Sequence, residues 1–173
     1  MSAATTSSRY TNNLLGALAV GLTDRIGEGI DDALRIGGRA GAALLSVGTR
    51  PGQTIDQLAH VLVLSHSATV RLTDRLAKEG VMSRRRASGD ARAVVLQLTR
   101  TGHNTFRRLL DARNAALETA TSALTASERA SLQRLLEKML AELPHDLPEA
   151  KTICRLCEHE VCRGAACPVG SAV

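Results

Sequence analysis

Aromatic residues are almost absent from this sequence of 173 residues, in which only Tyr10 and Phe106 occur and tryptophan is missing. Modules that stack bases on aromatic platforms need several exposed rings. The composition therefore excludes that class of nucleic-acid-binding protein, and it also excludes an aromatic cage for a quaternary ammonium group.

Long apolar segments are also lacking. Runs such as Leu14–Val20 are far shorter than the stretch of about 20 residues that a bilayer requires, and Met1–Tyr10 lacks the charged start and apolar run of a signal peptide. We therefore expect a cytoplasmic protein with no membrane partner. The sequence contains no Gly-rich phosphate loop, nucleophile elbow or distinctive carboxylate pair, so an enzyme is not expected.

Positive charge is concentrated in one third of the chain. The sequence has 22 basic and 17 acidic residues, a formal net charge of +5. Residues 54–113 contain eleven basic and five acidic side chains, a net charge of +6, so the remainder sums to −1. Such a concentration of positive charge is expected where a surface meets a polyanion, although a solvated charged face gives the same number of basic residues. The residue pattern must decide between a polyanion-binding surface and a solvated charged face.

Helical periodicity marks both ends of the chain. Residues 1–9 are small and polar and predict a flexible tail. From Asn12 to Leu34 an apolar residue recurs at every fourth position, and Ser127–Leu143 carries a second apolar stripe that prolines then end. These helices have too much apolar surface for one small domain, so we expect pairing with a second copy across a two-fold axis.

The middle of the sequence predicts a helix-turn-helix followed by a wing. Thr54 caps a short helix that ends near Leu62, and Ser65 caps a second helix that stops at Gly80. Almost no chain joins them, which is typical of a helix-turn-helix. Residues 81–86 and 93–99 predict two strands around a Gly-Asp turn, and a hairpin in this place is a wing.

Five segments of this region resemble the MarR family of bacterial transcription regulators. They are Ile55–Ala59, Ser65–Leu76, Lys78–Val81, Gly89–Arg92 and Leu98–Gly102. The most specific is the wing, with an Asp two residues before an Arg, followed by a strand and Leu-Thr-x-x-Gly. The resemblance implies a triangular homodimer, a recognition helix in the major groove of a pseudo-palindrome, a wing arginine in the adjacent minor groove, and an effector or oxidant that releases DNA. The small phenolic ligands frequent in this family do not suit a crevice with almost no aromatic lining.

The residues expected to contact double-stranded DNA lie on the second helix and on the wing. Val70 is apolar in the middle of a polar helix face, which suits contact with a thymine methyl. Arg92, two residues after Asp90, suits entry into a narrow minor groove, and the alternative is an exposed hairpin ion pair. The expected contact set is Ser65, His66, Ser67, Val70, Arg71, Arg75, Arg84, Arg85, Arg86 and Arg92.

Four thiols crowd into residues 154–167, and cytoplasmic thiols stay reduced. Four soft ligands suit tetrahedral zinc or an iron–sulfur cluster, with His159 able to substitute for one thiol. The spacing matches neither the usual paired zinc knuckle nor the ferredoxin run, so metal-free redox thiols and inert cysteines remain alternatives. The candidate ligands are Cys154, Cys157, Cys162 and Cys167.

Together these patterns predict a mainly α fold, a winged helix-turn-helix with long N- and C-terminal dimerisation helices. Residues 1–9 would form a tail, residues 10–143 the DNA-binding and dimerisation domain with its core at about 38–102, and residues 144–173 a cysteine-rich tail. We expect a homodimeric repressor of a pseudo-palindromic operator, controlled by a metal, iron–sulfur or redox signal or by a small-molecule effector. The alternative is a metal- or cluster-binding protein whose winged helix mediates protein–protein contact.

Overall fold

The computed structural model describes residues 3–34, 38–87, 90–162, 164 and 167–170. Its elements are, in chain order, α1 (Ala3–Leu34), α2 (Gly38–Thr49), α3 (Ile55–Leu62), α4 (His66–Lys78), β1 (Met82–Ala87), β2 (Asp90–Leu98), α5 (Arg100–Thr121), α6 (Ala126–Ala141), α7 (Leu147–Ile153) and a 3-10 turn (Cys154–Leu156). This is the expected mainly helical winged helix-turn-helix. Within the described ranges every helix is too short or too polar to cross a membrane.

Helix α1 begins earlier than the sequence predicts. Residues 3–9, expected to belong to a flexible tail, form its first turns, so the boundary placed at residue 9 is not found. Small Ala, Ser and Thr residues do not clash within a helix, and the Thr11 hydroxyl donates to the Ser7 carbonyl oxygen at 3.0 Å within the same helix. The low hydrophobicity of this segment therefore does not exclude a helix.

The core surrounds α2. Leu44, Leu45 and Val47 of this helix are fully buried, and α2 contacts α1, α3, α5 and β2. Leu76 of α4 and Leu96 of β2 complete the same apolar cluster, which joins the helix-turn-helix to the wing. Apolar burial of this kind is the main stabilising contribution to the fold.

The helix-turn-helix has the caps that the sequence predicts. Thr54 and Gln57 form a capping box at the start of α3, and the Ser65 hydroxyl accepts from the Ala68 N–H at the start of α4. Val63 lies between the two helices with a φ of 50°, a left-handed conformation that is unusual for a β-branched residue. The turn that orients α4 therefore contains local backbone strain.

The wing is fixed to the start of α3. Strands β1 and β2 pair antiparallel, with Met82 opposite Leu98 and Arg84 opposite Leu96. The Leu96 N–H donates to the Gln53 carbonyl oxygen at 2.8 Å, and the Gly52 N–H donates to the Leu96 carbonyl oxygen at 3.1 Å. The predicted turn residues Ser88 and Gly89 lie outside the described residues.

The Leu-Thr-x-x-Gly motif fastens α5 to the end of α4. The Thr99 hydroxyl donates to the Gly80 carbonyl oxygen at 2.6 Å and accepts from the Gly102 N–H at 3.0 Å. A Cβ at residue 102 would lie 1.9 Å from the carbonyl oxygen of Val81. Only glycine therefore allows the helix to approach this closely.

The chain after α6 folds back onto the helix-turn-helix. Pro148 is expected to end a helix. The structure instead places it in the first turn of α7, where proline is favoured, and Asp146 caps that helix. Helix α7 packs on α3, the 3-10 turn packs on α2, and Leu156 packs against the core. The cysteine-rich segment therefore contacts the helix-turn-helix directly.

Candidate DNA-contacting surface and cysteine cluster

Helix α4 has one buried and one exposed face. The buried face contains Leu76, as the sequence predicts, together with Thr69 and Thr73, which the sequence analysis did not place there. The Thr69 hydroxyl donates to the Ser65 carbonyl oxygen, and the Thr73 hydroxyl donates to the Val70 carbonyl oxygen. Because helix carbonyls satisfy these hydroxyls, the threonines pack in the core through their methyl groups.

The outer face of α4 contains most of the predicted contact residues. His66, Ser67, Arg71 and Arg75 are exposed, and Val70 is half-buried. An exposed α-helix of this kind, with cations on its outer side, has the dimensions and charge to enter a DNA major groove. The structure thus brings these residues to one accessible face.

The first turn of α4 is connected to α3 by a side-chain contact. His66 Nδ1 lies 2.6 Å from Asp56 Oδ1, and both side chains are largely exposed. An exposed pair of this kind contributes about 1 kcal/mol or less to stability. Its main effect is to orient the His66 ring at the end of the helix that the sequence analysis assigns to base contact.

Arg84 is directed at α4. Its guanidinium forms an ion pair with Asp74 at 2.9 Å and donates to the Thr73 hydroxyl at 2.7 Å. Arg85 and Arg86 are also exposed on the wing. Arg84 therefore braces the wing against α4, a contact that the sequence analysis missed because the two residues lie on different elements.

The wing tip is only partly described. The backbone of Arg92 belongs to β2. Its side chain and that of Asp90, the pair expected at the minor groove, lie outside the described residues.

The four cysteines line one cavity. Its volume is about 480 Å³, and His159, Gly164 and Gly170 complete its lining. None of the four thiols is in a disulfide. Within the described part of the chain, no group of three or more His, Cys, Asp or Glu side chains is placed to hold a metal ion. The structure thus gathers the predicted ligands around one cavity without placing them at coordination distance.

The thiols at the start of the cluster differ in acidity. A hydrogen bond from the Cys154 thiol lowers the pKa of Cys157 to about 6, burial opposes that shift, and the nearby Arg113 and Arg50 guanidinium groups support it. The same hydrogen bond raises the pKa of Cys154. Burial raises the pKa of Cys162, assisted by its hydrogen bond with Cys167. Cys157 is therefore the acidic thiol of the first pair.

Two arginines from outside the cysteine-rich segment, Arg50 and Arg113, interact electrostatically with its thiols. Arg50, directly after α2, carries buried Nε and Nη2 atoms that find no hydrogen-bond partner in the described part of the chain. Burial lowers the pKa of Arg50, and the proximity of Cys154 and Cys157 opposes that shift. The sequence analysis missed Arg50, because about a hundred residues separate it from the cysteines and no local pattern marks it.

Sequence comparisons place this chain beside transcription regulators. A family model described as the MarR family matches residues 40–94. The transcriptional repressor MprA of Escherichia coli strain K12 is 31% identical over 103 residues, which cover 58% of this chain and 58% of that protein. The match therefore spans little more than half the length of this curated relative.

Solved structures with the same architecture cover more of the chain. A MarR family protein from Bacillus stearothermophilus has a TM-score of 0.69 at 23% identity, covering 83% of this chain and 98% of that one. FabT from Streptococcus pneumoniae, solved in complex with DNA, has a TM-score of 0.61 at 19% identity, covering 76% of this chain and 94% of that one. These two likenesses show the shared fold.

Proposed function

We propose that this chain is a member of the MarR family and a cytoplasmic transcription regulator that binds double-stranded DNA through α4 and the wing. The observation that carries this proposal is the outer face of α4, where Arg71 and Arg75 are exposed while the opposite face is buried in the core. Exposed Arg85 and Arg86 on the neighbouring wing add cations for the phosphate backbone. We further propose repression as the sign of regulation, on the basis of the function named for the relative MprA.

We propose a homodimer as the DNA-binding form. Leu14 and Leu18 on α1 are each 51% exposed, and α6 contains no buried residue although Leu135, Leu136 and Met139 are apolar. Two copies related by a two-fold axis would cover these faces and present two α4 helices to half-sites about one helical turn apart. Leu18→Asp should shift sedimentation towards the monomer, because it would bury an unpaired charge in the dimer. A wild-type protein that sediments as a monomer at micromolar concentration would contradict this arrangement.

The DNA-binding proposal can be tested with a duplex selected from a random-sequence library. Arg71→Ala should weaken binding by about 1 to 3 kcal/mol if Arg71 contacts a base, and Arg92→Ala should act most on duplexes with A·T-rich flanks. Arg134→Ala is the matched control, because it removes one exposed cation from α6, outside the helix-turn-helix and the wing. Equal affinity of the wild type and the Arg71/Arg92 double variant would refute both assignments.

We propose that the four cysteines form a control site that holds zinc or an iron–sulfur cluster or responds to oxidants. Support comes from the common cavity that they line and from the four thiolate-forming donors, which are typical ligands of both cofactors. A bound metal stabilises thiolates, so the donors can close on it when their protons leave. Contact of α7 with α3 gives this site a short route to the DNA-binding surface.

Elemental analysis and the visible spectrum of anaerobically purified protein test the cysteine site. Zinc should give a colourless protein with about one metal per chain, and a cluster should give a brown one, whereas bare thiols should react quickly with peroxide. Replacing all four cysteines with serine should remove the response of DNA binding to chelator and to oxidant. A quadruple variant that keeps both responses would leave the cysteines without a regulatory role.

A second candidate function is a metal-binding protein whose winged helix contacts another protein. The exposed apolar side chains of Val63, in the turn before α4, and Val94, on the wing, favour it. The dependence of duplex affinity on salt separates the two, because phosphate contacts release counterions and protein contacts do not. Absence of any salt-dependent binding to the selected duplex would favour this second function.

A further inference from the structure

A cavity separate from the one that the cysteines line lies between α3 and α7. Its volume is about 320 Å³, which is within the range of small-molecule sites. Helix α3 contributes Gln57, His60 and Val61 to the lining, and α7 contributes Pro148 and Lys151. Helix α7 lies outside residues 40–94, the part of the chain that matches the family model. The cavity is therefore a feature of this chain beyond that match.

The charged side chains that line this cavity are all positive. Arg50, in the turn between α2 and α3, and Lys151 of α7 both contribute to the lining. Among the described residues, no Asp or Glu lines the cavity. Neither Arg50 nor Lys151 forms an ion pair in the described part of the chain. The two cations therefore give the cavity a positive potential that favours an anion.

The side chain of Arg50 lacks the hydrogen bonds that its burial demands. Its Nε and Nη2 atoms are buried and have no hydrogen-bond partner in the described part of the chain. A guanidinium keeps its charge in a protein, so burial without an anion costs free energy. The backbone of Arg50 is fixed, because its N–H donates to the Ser46 carbonyl oxygen and its carbonyl oxygen accepts from Gln53 Nε2, each at 3.0 Å. A bound anion would supply the missing acceptor.

The remaining lining residues narrow the chemistry of that anion. A guanidinium fork and an ammonium group together match a phosphate, which carries nearly two negative charges and has three acceptor oxygens. The Gln57 Oε1 accepts from the Thr54 N–H at 2.9 Å, which leaves the amide Nε2 as a further donor. Val61 and Pro148 form an apolar part of the lining and suit a short apolar group. A phosphate ester combines both features.

We propose that this cavity binds a small phosphate monoester, with the phosphate held by Arg50 and Lys151 and the apolar group packed on Val61 and Pro148. Such a ligand contacts α3 of the helix-turn-helix and α7 at once, and it therefore strengthens the docking of α7 on α3. The site is independent of the DNA-binding and cysteine proposals, because neither of them uses this cavity.

The test uses butyl phosphate as the probe, with inorganic phosphate and pentanoate for comparison. Full-length reduced protein is titrated with each anion by calorimetry, at neutral pH in a buffer free of phosphate and sulfate. Butyl phosphate should bind about 10-fold more tightly than pentanoate, because the carboxylate has one charge and fewer acceptor oxygens. Inorganic phosphate should bind more weakly than butyl phosphate, because it lacks the apolar group that packs on Val61 and Pro148.

Substitutions of the two cations locate the bound anion. Arg50→Gln and Lys151→Gln should each weaken butyl phosphate binding by about 10-fold or more, and Arg50→Lys should weaken it less, because lysine keeps the charge without the planar fork. Lys151 is exposed, so Lys151→Gln should fold normally and decides the test if Arg50→Gln does not fold. Arg155→Gln is the matched control. Arg155 is exposed, does not line this cavity and donates to the Thr152 carbonyl oxygen, so its loss should change affinity by less than about twofold.

Each contrary result overturns a defined part of the proposal. Wild-type affinity in Lys151→Gln, or a loss no larger than that in Arg155→Gln, places the anion elsewhere and overturns the site. Pentanoate binding as tight as that of butyl phosphate overturns the assignment of a phosphate. Inorganic phosphate binding as tight as that of butyl phosphate overturns the contact with Val61 and Pro148. Absence of saturable binding of both phosphates in the millimolar range overturns the inference as a whole and leaves the DNA-binding and cysteine proposals unaffected.

Discussion

Replacing Gly102 with alanine should destabilise the protein by about 1.5 to 5 kcal/mol. The new Cβ would lie 1.9 Å from the Val81 carbonyl oxygen and 3.2 Å from Leu98 Cβ. An ordinary contact needs about 3.4 Å, so the start of α5 would have to move by about 1.5 Å relative to backbone that cannot rotate away. Overpacking of this kind costs about 1 to 3 kcal/mol. The shift would also disrupt the cap at Thr99, a loss of about 0.5 to 2 kcal/mol.

Gly16→Ala is the control for this substitution. Gly16 is exposed within α1, and a Cβ there meets nothing within 4 Å, so alanine should stabilise the protein by about 0.5 to 1 kcal/mol through its helix propensity. Urea unfolding followed by circular dichroism, at one protomer concentration for all variants, measures both effects. A Gly102→Ala protein as stable as the wild type would refute the proposed packing of α5 on Val81.

Two further predictions concern the helix-turn-helix turn and the cysteine cluster. Val63→Asn should stabilise the protein by about 1 kcal/mol, because Val63 is 72% exposed with a φ of 50° that asparagine tolerates better. Exposed Val161→Asn is its control in the same urea experiment, and a loss of stability in Val63→Asn alone would contradict the strain argument. In reduced, metal-free protein, the Cys157 thiolate should contribute stability that is complete above pH 9.0 and is lost as the pH falls towards about 6, since its pKa is lower in the folded state. Unfolding free energies measured between those pH values should rise with pH in the wild type and rise less in Cys157→Ser.

The outer face of α4 was largely predictable from the sequence. Helix α4 begins where Ser65 caps it, and the three-dimensional structure leaves Arg71 exposed on the outer face, as the helical periodicity predicts. Arg84 does not follow its expected role as a DNA phosphate contact. The sequence groups Arg84 with Arg85 and Arg86 as a basic run, whereas the structure pairs its guanidinium with Asp74 of α4. A run of like residues in a strand alternates between two faces, so its members cannot all serve one partner.

The environment of the cysteine cluster was less predictable from the sequence than the outer face of α4. Its four thiols are visible in the sequence because ligand spacing is local. The groups that pack around the cysteine-rich segment come from parts of the chain far from it in sequence. The structure docks α7 on α3 and the 3-10 turn on α2, contacts between segments that are far apart in the sequence.

The sequence by itself therefore determined the helix-turn-helix and wing, the caps at Thr54 and Ser65, and the outer face of α4, because periodicity and capping involve residues a few positions apart. Only the tertiary structure decided which cations stay exposed and which meet other side chains. It buried Thr69 and Thr73, and it left Nε and Nη2 of Arg50 without a hydrogen-bond partner in the described part of the chain. Burial and desolvation arise from contacts between residues that are distant in the chain, so they leave no local pattern that a sequence could reveal.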